Sequence, residues 1–146
     1  MAIERRARVV WRGSLQEGQG EVTAESSGVF SSLPVTWAAR TEDPGGKTSP
    51  EELLAAAHAS CFSMAFSNGL AKAGHAAERL EVEATCTFEK ADGGFKVGSM
   101  HLNVTARVPG IDEGAFKDAA ETAKEGCPIS GALKGNVAIS LDAKLE

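Results

Sequence analysis

Residues 49–74, SPEELLAAAHASCFSMAFSNGLAKAG, carry the strongest structural signal in the chain. Ser49 is a favourable N-cap, Pro50 suits the first helical position, and Glu52 completes a capping box. The residues that follow are Ala, Leu, Phe and Met on nearly every side, and a helix that is apolar all round is normally buried. This stretch therefore predicts a long, buried central helix over residues 50–73.

The segment before this helix consists of short β-compatible pieces. Residues 6–13, 19–25 and 35–40 are separated by GSLQEGQG and SSGVFSSLP, whose Gly, Ser and Pro content marks turns. Residues 1–40 are therefore predicted to form an antiparallel β meander, and the glycine-rich loop EDPGGKT leads from it to the helix.

Residues 79–146 are predicted to form a ββαβ half. Two alternating runs flank ADGG and predict a hairpin. Asp112 can cap the helix that follows, Pro128 restarts a short helical turn, and the tail NVAISLDAKLE alternates as a closing strand. The order βββ, long helix, ββ, helix, β lacks repeated βαβ units, which favours one α+β domain over residues 1–146 with antiparallel sheets.

Composition and charge exclude several classes of protein. The 146 residues are 24% charged and 42% hydrophobic, as in a soluble globular protein. The net charge is -5, and the arginines between residues 5 and 12 fit the polar side of an edge strand better than a phosphate-binding arm, so no nucleic-acid partner is expected. Charged residues appear near the N-terminus before any apolar run as long as that of a signal peptide. The longest apolar stretch contains His58. Neither export nor membrane association is expected, and a cytoplasmic location is predicted.

The three cysteines are too few for a secreted disulfide framework, so each is either an inert core residue or a reactive thiol. Cys61 follows His58 by three positions and shares its helix face, although a buried, unreactive role is common for both residue types. Cys127 precedes Pro128 at a predicted helix N-terminus, where thiolate is favoured. Cys86 alternates with apolar neighbours and is expected to be inert. These features do not rank Cys61 against Cys127 as the nucleophile.

No metal or cofactor site is predicted. The sequence has no C-x-x-C or H-x-x-x-H spacing, and the other two histidines, His75 and His101, are isolated. GxGxxG is absent, and GGKTS lacks the upstream glycine and strand of a phosphate loop.

The motif SPEELLAAAHASCFSMAF, followed some sixty residues later by AKEGCPIS, resembles the OsmC and Ohr family of bacterial hydroperoxide reductases. The resemblance covers essentially the whole chain, and the AAHASC context points to the OsmC branch. It implies an OsmC-like fold, an intertwined homodimer, and reduction of organic hydroperoxides, and of hydrogen peroxide less well, in oxidative or osmotic stress defence. The main alternative is a thiol-based redox sensor or ligand-binding stress protein that uses the same cysteines without turnover.

The resemblance also implies roles for individual residues. Cys61 would attack the peroxide, and Cys127 would resolve the sulfenic acid as a disulfide, which an external dithiol, of the lipoyl type in the family, would reduce. A glutamate and an arginine assist the reactive cysteine in the family. The glutamate matches Glu51, and the arginine matches Arg40, with Arg12 as the alternative. The guanidinium would favour the thiolate, and Glu51 would orient it through a bidentate pair.

The spacing between Glu51 and Cys61 raises a geometric question. They are ten residues apart, so an unbroken helix separates them by about 15 Å along its axis. They could not then act together within one chain unless Arg40 spans the gap. A two-fold dimer would instead supply Glu51 to the partner's site reciprocally, and this is the arrangement we expect.

Overall fold

In the computed structural model, which describes residues 1–146, the chain divides into two units, Met1–Leu53 and Leu54–Glu146. None of its helices combines the length and the apolarity that a membrane span requires. The mixture of helices and separate sheets confirms the predicted α+β class. In chain order the elements are β1 (Arg8–Arg12), β2 (Gln19–Thr23), β3 (Leu33–Val35), α1 (Trp37–Thr41), α2 (Pro50–Lys72), β4 (Arg79–Ala91), β5 (Gly94–Arg107), α3 (Glu113–Gly126), α4 (Pro128–Leu133) and β6 (Ala138–Leu145).

The first unit contains the predicted antiparallel meander, with strand order β1-β2-β3. The strand predicted over residues 35–40 is wrong, because Trp37–Thr41 form the short helix α1. Thr36 caps this helix, and its Oγ1 accepts a hydrogen bond from the Ala39 N–H at 3.1 Å. An N-cap threonine followed by Ala and Arg favours a helical turn over an extended strand.

Helix α2 begins where the sequence predicts. Ser49 Oγ accepts a hydrogen bond from the Glu52 N–H at 3.1 Å, and Pro50 is the first helical residue. The expected capping box is only half formed, since the Glu52 carboxylate accepts from the Thr48 hydroxyl at 2.7 Å rather than from the Ser49 N–H. The helix then continues without interruption to Lys72.

In the single chain, helix α2 is buried along one face and exposed along the other. Met64, on the opposite side, is 72% exposed. The difference arises because one chain offers packing partners to one face only. The fully buried side chains of α2 recur every four residues, as expected for a single helix face; they are His58, Phe62, Phe66 and Leu70.

The second unit is built on the predicted hairpin. Strands β4 and β5 pair antiparallel and turn at Asp92–Gly93, where Gly93 adopts a φ of 82° that suits a tight hairpin. Strand β6 pairs parallel with β5, not antiparallel as expected, because α3 and α4 form a crossover between the two strands. One face of β5 lies in the core, where four of its side chains are fully buried; they are Met100, Leu102, Val104 and Ala106.

Helices α3 and α4 place Cys127 at their junction. Asp112 caps α3 as predicted, since its Oδ1 accepts from the Ala115 N–H at 2.8 Å. Phe116 of α3 packs against Phe66 of α2 with ring centroids 5.4 Å apart, which anchors α3 in the core. Pro128 lacks an N–H and cannot continue α3, so it starts α4 instead. Cys127 therefore ends one helix and begins the next.

Candidate thiol redox site

Cys61 and Cys127 lie side by side in the second unit. Cys61 is on α2 and is partly exposed, whereas Cys127, between α3 and α4, is only 1% exposed. Each thiol shifts the pKa of the other, so the two side chains are neighbours, and no disulfide joins them. The structure therefore brings together one partly accessible thiol and one buried thiol.

The surroundings of Cys127 favour negative charge on its sulfur. Cys127 has an extended backbone and is the N-cap residue of α4. Burial opposes ionisation, but hydrogen bonds from Cys61, from the backbone N–H groups of Ser130 and Ile129 and from the Ser130 side chain outweigh it, so the pKa of Cys127 is lowered. Hydrogen bonds to a thiolate stabilise the charged form in this way.

Cys61 has the opposite tendency. Burial raises the pKa of Cys61, its hydrogen bond to Cys127 raises it further, and only the backbone N–H of Ile129 lowers it. The neighbouring thiols therefore differ, since the pKa of Cys127 is lowered and the pKa of Cys61 is raised. No cationic side chain of this unit contributes to the pKa of Cys61. A cationic side chain placed beside Cys61 would lower its pKa and favour the thiolate.

A buried polar pair lies behind Cys127. His58 on α2 is fully buried, and its Nε2 is 2.8 Å from Oγ of Ser130 on α4. Burial lowers the pKa of His58, so the ring is neutral near neutral pH. Sequence reasoning did not find Ser130, because it is 72 positions from His58 and nothing local marks it as a partner. The only available signal was its place three residues after the capping Cys127.

Arg40 and Glu51 form a bidentate ion pair within the first unit. Nε of Arg40 lies 3.0 and 3.1 Å from the two carboxylate oxygens, and Nη2 lies 2.7 Å from one of them. Glu51 is 7% exposed, and the guanidinium also lies 5.9 Å from the ring centroid of Trp37. Arg12, the alternative partner, is exposed on β1 and takes no part in this pair. The pairing fixes the orientation of the Arg40 guanidinium.

A cavity of about 350 Å³ lies beside Arg40, also within the first unit. Arg40 supplies the only charged side chain in its lining. Such a cavity suits a small, largely apolar molecule with one polar end. Its apolar lining includes Val9, Trp11, Leu15, Val35 and Leu53.

The fold and the adjacent thiols define a thiol-based redox protein. A profile of the family described as OsmC-like protein matches residues 42–142. The chain is 39% identical over 146 residues to peroxiredoxin OsmC of Escherichia coli strain K12, covering 100% of this chain and 99% of the relative. It is 32% identical over 140 residues to organic hydroperoxide resistance protein OhrB of Bacillus subtilis strain 168, covering 94% and 96%. The crystal structure of OhrB from Bacillus subtilis superposes with a TM-score of 0.72 at 27% identity, covering 95% and 98%. The chain belongs to the OsmC-like family.

Proposed function

We propose that this protein is a thiol-dependent peroxidase that reduces organic hydroperoxides, with Cys61 as the attacking thiol and Cys127 as the resolving thiol. The observation that carries the proposal is the contact between a partly exposed cysteine and a buried cysteine in one chain. The activity is supported by relatives named peroxiredoxin OsmC and organic hydroperoxide resistance protein.

Accessibility supports the assignment of the two thiols. A peroxide oxygen must reach the sulfur that attacks it, and Cys127 is only 1% exposed, whereas Cys61 is partly exposed. The resolving sulfur needs to reach only its neighbour. The lowered pKa of Cys127 suits that second role, because the thiolate is the form that attacks a sulfenic acid.

The chemistry proceeds in two steps. The Cys61 thiolate attacks one peroxide oxygen, the O–O bond breaks, and the departing alkoxide takes up a proton to give the alcohol, which leaves a sulfenic acid on Cys61. The Cys127 thiolate then attacks the Cys61 sulfur, the S–S bond forms, and hydroxide leaves and is protonated to water. An external dithiol, of the lipoyl type by family resemblance, reduces the disulfide and restores both thiols.

Arg40 and the adjoining cavity support an organic substrate. The guanidinium held by Glu51 would stabilise the Cys61 thiolate and the developing alkoxide. The apolar cavity beside it would take the organic part of the hydroperoxide. Hydrogen peroxide has no organic group to bind in this apolar cavity, so it is expected to be the poorer substrate.

The active unit in this proposal is a cytoplasmic homodimer, each subunit being one OsmC-like domain over residues 1–146. Helix α2 is continuous, so Glu51 and Cys61 are separated by about 15 Å along its axis. We propose that the Arg40–Glu51 pair of one subunit serves Cys61 of its partner. The exposed side of α2, which includes Met64, would be covered by the second copy.

Steady-state assays test the activity. Consumption of cumene hydroperoxide and of hydrogen peroxide would be followed with dihydrolipoamide, thioredoxin and glutathione in parallel. Repeated turnover is expected, faster with cumene hydroperoxide and fastest with dihydrolipoamide. Consumption of a single equivalent of hydroperoxide, with no further consumption in the presence of any reductant, would favour the redox sensor instead.

Cys86→Ala provides an internal control for the thiol assignment. Cys86 lies on β4 opposite Met100 of β5 and is absent from the groups that shift the pKa values of Cys61 and Cys127. The peroxidase rate is expected to stay within about twofold of wild type, with a loss of about 1 kcal/mol in unfolding free energy from reduced packing. Peptide mapping of peroxide-treated protein checks this, and a disulfide that includes Cys86 would contradict it.

A further inference from the structure

Two buried polar side chains, Ser130 and His58, follow Cys127 into the core. Neither has a role in the two proposed steps. Ser130 is the third residue of α4, which begins directly after the N-cap Cys127, and its side chain lowers the pKa of the Cys127 thiol, while its Oγ lies 2.8 Å from Nε2 of His58. Ser130 is 3% exposed and His58 is fully buried. A histidine in such a place requires a reason, because burying a polar ring is costly unless its nitrogens are satisfied.

The unpaired ring nitrogen fixes the direction of the hydrogen bonds. His58 Nδ1 is buried and has no hydrogen-bond partner. An N–H at this position would be a buried donor without an acceptor, so the neutral ring carries its hydrogen on Nε2. Nε2–H then donates to Oγ of Ser130. The single hydroxyl hydrogen of Ser130 is thereby left to donate to the Cys127 sulfur.

This hydrogen bond gains importance once Cys61 has been oxidised. In the reduced dithiol, the Cys61 S–H also donates to Cys127. The Cys61 sulfenic acid has no S–H, and its one hydrogen is on the oxygen that departs as hydroxide in the resolving step. Of the side chains that hydrogen-bond Cys127 in the reduced protein, Ser130 then remains, together with the backbone N–H groups of Ser130 and Ile129.

We infer that His58 is a positioning residue for the resolving step, holding the Ser130 hydroxyl as a donor to Cys127 so that Cys127 faces the Cys61 sulfenic acid as a thiolate. The inference rests on the proposed peroxidase function and deepens it. In the assisted step the Cys127 sulfur is oxidised, the Cys61 sulfur is reduced, the S–O bond breaks as the S–S bond forms, and the released hydroxide takes up a proton to become water.

Rapid-quench kinetics separate this role from a purely structural one. His58→Leu and Ser130→Ala each remove a donor, while His58→Gln keeps an N–H near the position of Nε2 and serves as the matched control. After one equivalent of cumene hydroperoxide, sulfenic acid formation on Cys61 is expected to stay within about twofold of wild type. Disulfide formation is expected to slow roughly tenfold or more in His58→Leu and Ser130→Ala, the effect of losing a hydrogen bond to a charged group. His58→Gln is expected to recover most of the rate.

A thiolate titration in a Cys61→Ser/Cys86→Ala background, in which Cys127 is the one remaining thiol, gives a second readout. Ultraviolet thiolate absorbance of Cys127 is expected to appear at higher pH when Ser130→Ala is added. Ser130 also lines a second cavity, of about 150 Å³, and the charged residues of that cavity are unchanged in this variant; they are Lys124, Glu125 and Lys134. Ser130→Ala deletes a single oxygen, so it carries the test if His58→Leu does not fold.

Three outcomes would count against the inference. Disulfide formation at the wild-type rate in both His58→Leu and Ser130→Ala would overturn it while leaving the peroxidase assignment intact. Equal slowing of both steps would overturn it in favour of a structural role. If wild-type protein forms no sulfenic acid on Cys61, the peroxidase assignment itself fails and the inference fails with it.

Discussion

Cys61→Ser is expected to abolish hydroperoxide turnover, a fall of roughly a thousandfold or more, because it removes the proposed attacking sulfur and leaves Cys127, which is only 1% exposed, in its place. Cys127→Ser is expected to behave differently. It should consume about one equivalent of hydroperoxide and then accumulate sulfenic or higher acids on Cys61, because no buried thiolate remains to resolve the first product. The asymmetry between the two variants is the signature of the assignment.

Mass spectrometry of the trapped products checks this expectation. The reduced structure places the more favourable thiolate on Cys127, so the reversed assignment is a definite competitor. It would appear as turnover lost at the first step in Cys127→Ser, with sulfenic acid accumulating on Cys127 in Cys61→Ser. Equal loss of the first reaction in both variants would contradict both assignments of attacking and resolving thiol. It would indicate that the first reaction needs both cysteines.

Mixing inactive chains should restore activity if the reaction centre is shared between subunits. Glu51→Ala leaves Arg40 without its bidentate partner, and Cys61→Ser removes the attacking sulfur. After random exchange of equal amounts, half of the dimers are mixed, and each of these contains one site with an intact Glu51 and an intact Cys61. About one quarter of the wild-type activity is therefore expected. Parents that stay inactive after proven exchange would place Glu51 in its own chain's site.

A matched control uses the same two substitutions in a single chain. When Glu51→Ala/Cys61→Ser protein is mixed equally with wild type, every site of a mixed dimer is broken in the shared arrangement. Only wild-type dimers then work, and about one quarter of the activity remains. If each chain builds its own site, every wild-type chain stays active and about one half remains. The two arrangements thus differ twofold in the control and qualitatively in the complementation.

Local sequence predicted the positions of the two cysteines in the fold but not their exposure. Helix α2 was predictable because the Ser49 cap and the Pro50 start are local signals, and Cys127 was correctly placed at the start of α4 by Pro128. Which thiol is accessible was not predictable, since exposure depends on what the core places over each sulfur. The α1 helix was missed for a related reason. In a stretch of five residues, the Thr36 cap outweighs β-compatible side chains.

Local sequence was enough to predict most of the helices and strands, the α+β class and the pair of candidate thiols, because caps, turns and alternation act over a few neighbouring residues. The tertiary structure alone decided the parallel pairing of β6, the one-sided burial of α2 and the link from His58 through Ser130 to Cys127. Each of these depends on groups far apart in the chain. Their free energy comes from burial and hydrogen bonding in the folded core, which no local pattern specifies.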